Sequence, residues 1–227
     1  MAFCVKSSYG ISNYQPAGEE VPDKILNFLQ SSIPPLQEKD DCKTATRMVM
    51  QYLCAIYFRH SGGYPGKCSD ATVDRIYSSA CQLDTQHDIQ AADSGSWPSL
   101  VSIMEAVKLA KLSKFPNVTP EYFNSVKAAK TYIHRFGAII MEINYSDQLL
   151  SKKDYTLTAG EEFEENVSKI FIAYGYGDGG FFCMDNLGPK KGYSGMVKIP
   201  DSVLDGSSGI DDYPKILIKG AVFANCY

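Results

Sequence analysis

Asp41-Cys42-Lys43-Thr44-Ala45-Thr46-Arg47-Met48-Val49-Met50-Gln51-Tyr52-Leu53-Cys54-Ala55-Ile56-Tyr57-Phe58 is the stretch that decides how the chain is read. Ala45, Met48, Val49, Tyr52, Leu53 and Ile56 recur at helical spacing, so the segment from Thr44 to Phe58 is expected to be a buried helix. Thr44 offers a hydroxyl to the free amides of the first turn, and His60-Ser61-Gly62-Gly63 supplies the stop. Upstream, residues 1 to 41 carry Gly10, Pro16, Gly18, Pro22, Pro34 and Pro35 with no sustained period and read as loop. Downstream, a second helix is expected from about Pro98 to Leu112, with Leu100, Ile103, Met104, Val107 and Leu109 on one broad apolar face. A third is expected to start at Thr119-Pro120, a cap followed by proline, and to carry Tyr122, Phe123, Val126, Ala129 and Tyr132 up to Gly137.

After Gly137 the segments become short, apolar and strand-like: Ala138 to Ile143, Lys169 to Tyr176, Gly180 to Met184, Gly195 to Ile199 and Ile216 to Phe223. Helices first and strands later argue for an α+β arrangement with a helical lobe and a sheet-rich lobe, since a doubly wound sheet would alternate the two. Gly175-Tyr-Gly-Asp-Gly-Gly180 lacks the Gly-Lys-Ser/Thr ending of a phosphate-binding loop and reads as a hairpin turn. The acidic run Glu161-Glu162-Phe163-Glu164-Glu165 lacks the spacing of a calcium loop and reads as a solvated loop.

The composition narrows the classes further. Across 227 residues, 22 basic side chains face 26 acidic ones, a net charge of −4, so the basic surface that nucleic-acid binding requires is not expected. Apolar runs such as Ala138 to Met141 and Ile170 to Ala173 are too short to span a bilayer, so no membrane partner is expected. Met1 to Ser8 hold too few apolar side chains for a signal peptide, and the expectation is a mature unit without leader or prosegment. His60, His87 and His134 stand in no metal-ligand spacing with cysteines, and no Cys-x-x-Cys exists, so neither a metal nor another cofactor is expected. Seven cysteines, an odd count, and the sequons at Asn117, Asn144 and Asn166 point to a secreted, disulfide-containing glycoprotein.

The order of these parts resembles the papain-like cysteine proteases over nearly the whole chain, from about Val21 to Ile218. In that family a proline, a glutamine and a disulfide cysteine precede the nucleophilic cysteine that opens a long buried helix. The corresponding stretch runs from Pro35 to Met48, with Cys42 at the disulfide cysteine, Ala45 at the nucleophile and Lys39 at the glutamine of the oxyanion hole. Ser79-Ala80-Cys81-Gln82-Leu83 falls where the family has a Gly-Cys-x-Gly-Gly loop, whose cysteine bonds the first one. The resemblance therefore implies a Cys42–Cys81 disulfide, and it sets Gln82 and Leu83 in place of glycines beside the substrate groove. Lys169-Ile-Phe-Ile-Ala-Tyr-Gly175-Tyr-Gly177 matches the strand that begins with the catalytic histidine, which here is Lys169. Either Asn186 or Asp185 aligns with the catalytic asparagine, and Leu187 replaces the tryptophan that follows. The ending Ile210-Asp-Asp-Tyr-Pro-Lys-Ile-Leu-Ile218 is most similar to mite group 1 digestive proteases, whose relatives in parasitic mites include inactivated paralogues.

The resemblance implies one papain-like two-lobed unit over 1–227, with a helical lobe at about 32–125 and a β-rich lobe at about 126–227 plus part of 1–31. Its chemistry needs a thiolate and an imidazole that carries protons. Ala45 has no nucleophile, and a lysine near its ordinary pKa is protonated at pH 7 and makes no proton shuttle at position 169. Gln82, Leu83 and Leu187 are expected to narrow the cleft. The expectation is a secreted pseudoprotease that binds host or self proteins, as a decoy or inhibitor of host defence. Two other readings stay open: a peptidase using Thr44 or Thr46, and a structural or storage protein. The connectivity of Cys4, Cys54, Cys68, Cys183 and Cys226 also stays open.

Overall fold

Residues 20–26, 42–61, 68–86, 98–112, 118–123, 125–144, 156, 168–185, 196–202 and 218–223 are described by the computed structural model. In chain order they form β1 (Ile25–Leu26), α1 (Thr44–Ser61), α2 (Asp70–Gln86), α3 (Leu100–Leu109), β2 (Val118–Phe123) and α4 (Val126–Phe136). Strands β3 (Ile139–Asn144), β4 (Ser168–Gly177), β5 (Gly180–Asp185), β6 (Met196–Pro200) and β7 (Ile218–Phe223) follow. The α+β expectation holds.

β4 organises the larger sheet. Its first part pairs antiparallel with β3, from Ser168 opposite Asn144 to Ala173 opposite Ile139, and its last part pairs with β1 through Tyr176 opposite Ile25. The other edge pairs with β5, which in turn pairs with β6. Side chains alternate across β4: Ile170, Ile172 and Tyr174 join the cluster built by α1, α2 and α3, whereas Phe171 and Ala173 join the cluster under α4. Between Ala173 and Gly175 the register against β5 shifts, so Tyr174 is an extra residue. The insertion reverses the phase of the strand, which is why Tyr176 turns to the α4 face instead of following Tyr174. Ala138 and Ile140 against Ile139 and Met141 show the same division in and before β3.

The strand expectations are met to within two residues, but three helix readings change. α1 starts at Thr44 as its first helical residue, because the Lys43 carbonyl already accepts from the Arg47 amide at 3.0 Å, so Thr44 is not the cap. α2 was not anticipated: it is a polar helix whose Val73, Ile76 and Ala80 face the core, with Leu83 packed beside them. The helix expected from Thr119-Pro120 starts at Val126 instead. Ser125 accepts from the Ala128 amide at 3.1 Å, and Gly137, at φ 99°, closes the far end. Thr119 and Pro120 lie in β2, opposite Val222 and Ala221 of β7 in a two-stranded sheet. That ribbon leaves each strand an unpaired edge, where proline is tolerated.

The hairpin expected at Gly175 to Gly180 is present. Asp178 (φ 51°) and Gly179 (φ 73°) make the two-residue turn with both φ positive that suits strand twist. At Gly180 the constraint is space, since a Cβ there would stand 2.7 Å from the Ile199 carbonyl oxygen of β6. Among the described residues no helix is long and apolar enough to cross a membrane.

One buried carboxylate joins two helices. Asp84, 3% exposed near the end of α2, accepts from the Ser99 amide at 3.0 Å and from the hydroxyls of Ser99 and Ser102 at the start of α3. Asp84→Ala strands these donors and is expected to lower stability by about 3 kcal/mol, read from the midpoint of urea unfolding. On the same assay Gly180→Ala is expected to cost about 3 kcal/mol through the clash with β6, and Gly179→Ala only about 1 kcal/mol, because only its φ is unfavourable.

Candidate functional site

The position that the sequence singles out first, Ala45, is the second residue of α1 and is fully buried. It belongs to the apolar cluster that also holds Ala138, Ile140 and Ile170 of the sheet lobe, and Ile170 follows Lys169 in β4. The start of α1 and the start of β4 are thus brought to one core. Lys169 itself pairs through its backbone with Ile143, and Asp185 ends β5 opposite Phe171. The side chains of Lys169 and Asp185 lie outside the described set, as do the residues Lys39, Asn186 and Leu187. Of the sequons, Asn144 ends β3 opposite Ser168, while Asn117 and Asn166 lie outside the described residues.

Two contacts hold the start of α1 against α2. Lys43 Nζ pairs with Asp74 at 2.6 Å. One turn further along α2, the Tyr77 hydroxyl is hydrogen-bonded to the side chains of both Cys42 and Cys81. The bond to Cys42, with burial next, pushes the Tyr77 hydroxyl far above its usual range, so it stays a proton donor to sulfur. Burial raises the Cys81 thiol, against the opposing pull of Tyr77. Cys42 and Cys81 are therefore neighbours as the resemblance implied, but they stand as thiols around Tyr77 and the expected disulfide is not formed. Cys54, Cys68 and Cys183 are thiols as well, and Cys4 and Cys226 lie outside the described residues. Cys183 is buried within β5, which drives its thiol well above the ordinary value.

Gln82 and Leu83 are corrected in their setting. Both stand in α2, where a loop was expected: Gln82 is exposed, and Leu83 packs against the helical core, so its side chain serves α2 packing and is not a cleft-filling group. The stripe Val73, Ile76, Ala80 and Leu83, at intervals of three and four, is the signal that could have revealed this helix. The threonines beside Ala45 are also buried, Thr44 at 3% and Thr46 at 0% exposure. The Thr46 hydroxyl has no hydrogen-bond partner among the described residues, so no base stands beside it there. No group of three or more His, Cys, Asp or Glu among the described residues is arranged to hold a metal ion.

Under mild oxidation, non-reducing peptide mapping is expected to recover Cys42 and Cys81 as one linked pair, the Tyr77 hydrogen bonds giving way to the S–S bond. In the reduced, folded protein Cys183 should resist iodoacetamide at pH 8 until denaturant is added, because burial holds it protonated. Cys42 recovered alkylated after oxidation would count against its alignment with the disulfide cysteine.

No family model matches the chain, and no curated protein matches it. Solved structures do. Xylellain, a cysteine protease from Xylella fastidiosa, superposes with a TM-score of 0.62 at 12% identity, over 88% of each chain. A procathepsin B from Trypanosoma congolense gives 0.64 at 10% identity, over 98% of this chain and 85% of that one. The digestive procathepsin L 3 of Tenebrio molitor larval midgut gives 0.58 at 11% identity, over 93% and 72%. At such identities the likeness is one of architecture, and the architecture of this chain is the papain-like α+β fold.

Proposed function

We propose that this protein is a catalytically inactive papain-like protein that is secreted and acts by binding. The observation that carries this reading is Ala45: a methyl group, fully buried in apolar surroundings, occupies the place at the start of α1 where the chemistry of this fold needs a thiolate. Lys169 at the histidine position removes the proton carrier as well. The buried setting of Thr44 and Thr46 supports the same reading, since a hydroxyl sealed in the core reaches no substrate. Its partners are host or self proteins, engaged as a decoy or inhibitor of host defence. This part rests on the resemblance to inactivated paralogues in parasitic mites, on the sequons and on the cysteine count.

Fluorogenic peptide substrates, offered to the unmodified protein, are expected to give no turnover above a heat-denatured control. Measurable turnover by the unmodified protein overturns the proposal, and labelling of Thr44 or Thr46 by an electrophilic probe would identify the nucleophile. The double variant Ala45→Cys with Lys169→His serves as the comparison, with any gain of activity confined to that variant. A pull-down from host fluid separates a binding protein from a storage protein, which would retain no specific partner.

A further inference from the structure

The pairing of Ile25 with Tyr176 lays the residues before β1 alongside α4, and between them is a cavity of about 700 Å³. Glu20 and Asp23 line one wall, Lys127 and Lys130 of α4 line the other, and Tyr176 lines it from the sheet. The cavity lies on the α4 face of β4, whereas Ala45 packs in the cluster on the opposite face.

Three features mark it as more than a surface dent. Tyr176 is 1% exposed, yet its hydroxyl has no hydrogen-bond partner among the described residues, an orphan that costs stability unless something else satisfies it. Lys130 is already engaged, paired with Asp201 and lying 5.7 Å and 5.6 Å from the ring centres of Tyr176 and Phe181. Glu20, Asp23 and Lys127 form no ion pair with any described residue, so the cavity presents uncommitted charge of both signs on facing walls. The acidic wall is held in place, because the adjacent Lys24 pairs with Asp178 of the β4–β5 turn at 2.9 Å and lies 5.9 Å from the Phe182 ring centre. Val126 and Pro22 add apolar surface.

We propose that this cavity binds a short peptide in zwitterionic form. The ligand's ammonium would lie among Glu20, Asp23 and the Tyr176 hydroxyl, and its carboxylate against Lys127 in the first turn of α4. The two charges of a free dipeptide match the two walls, and the volume suits a ligand of that size. The ammonium donates to the lone pair of the Tyr176 oxygen and so satisfies the orphan. The amides at the start of α4 reinforce the carboxylate end.

The test is isothermal titration of the full chain with alanyl-leucine, its N-acetylated form and its C-terminal amide. The free dipeptide is expected to bind with a dissociation constant of about 1 mM or tighter, and capping either end is expected to weaken it about tenfold or more. Tyr176→Phe removes only an unpartnered hydroxyl, so the melting temperature should stay or rise while affinity falls about tenfold. Lys127→Met, at an exposed position, should weaken the free dipeptide but leave the amide unaffected. Absence of saturable binding at about 10 mM overturns the proposal. So does binding that is indifferent to the caps or to both substitutions, which would place the ligand elsewhere. None of these outcomes depends on whether the chain cleaves peptides.

Discussion

β4 is buried on both faces, and the rest of the fold is arranged around that constraint. A strand that packs helices on each side needs apolar side chains at every position, and Ile170 to Tyr176 supply them up to the glycine at 175. The extra residue at Tyr174 then changes which face the strand shows. Ile170, Ile172 and Tyr174 belong to the helical core, while Tyr176 belongs to the cluster beneath α4, beside the pocket wall built from residues 20–23. A strand without the bulge would send Tyr174 and Tyr176 to the same side, and the α4 face would lose its aromatic floor.

The helical side depends on a second set of contacts that are polar and local. Lys43 with Asp74, and Tyr77 with Cys42 and Cys81, fix the first turn of α1 to α2, and Asp84 fixes the end of α2 to the start of α3. Ala45 sits where these restraints meet the sheet lobe. In a papain-like enzyme such a junction positions reacting groups. Here the side chain at the junction is a methyl group that contributes packing, and the restraints serve stability.

Legibility in the sequence followed the source of each element's stability. β3, β4, β5 and β6 were readable because burial writes their apolar runs directly into the chain, and Asp178-Gly179 was readable because the turn requires positive φ at two successive residues. α2 was missed because a helix half exposed to water carries as many polar as apolar residues, and its stripe is thin. Thr119-Pro120 misled because a cap followed by proline is a genuine helix signal, overridden by pairing with a strand about a hundred residues further on. At the candidate site, the residue types at 45 and 169 and the nearness of Cys42 to Cys81 were legible through the resemblance. The Tyr77 bridge, the packing of Leu83 and the orphaned Tyr176 hydroxyl were not, since each depends on a neighbour remote in the chain.

By itself the sequence determined the helix-then-strand order, the absence of a cysteine at 45 and of a histidine at 169, and a net charge that disfavours nucleic acid. Only the tertiary structure decided which face of β4 each side chain takes, that Cys42 and Cys81 meet around a tyrosine, and that opposite charges line a cavity behind the sheet. The physical reason is the range of the forces involved. Periodicity and turn chemistry act over a few residues and are written locally. Register shifts, shared hydrogen bonds and facing charges arise only when segments far apart in the chain pack together.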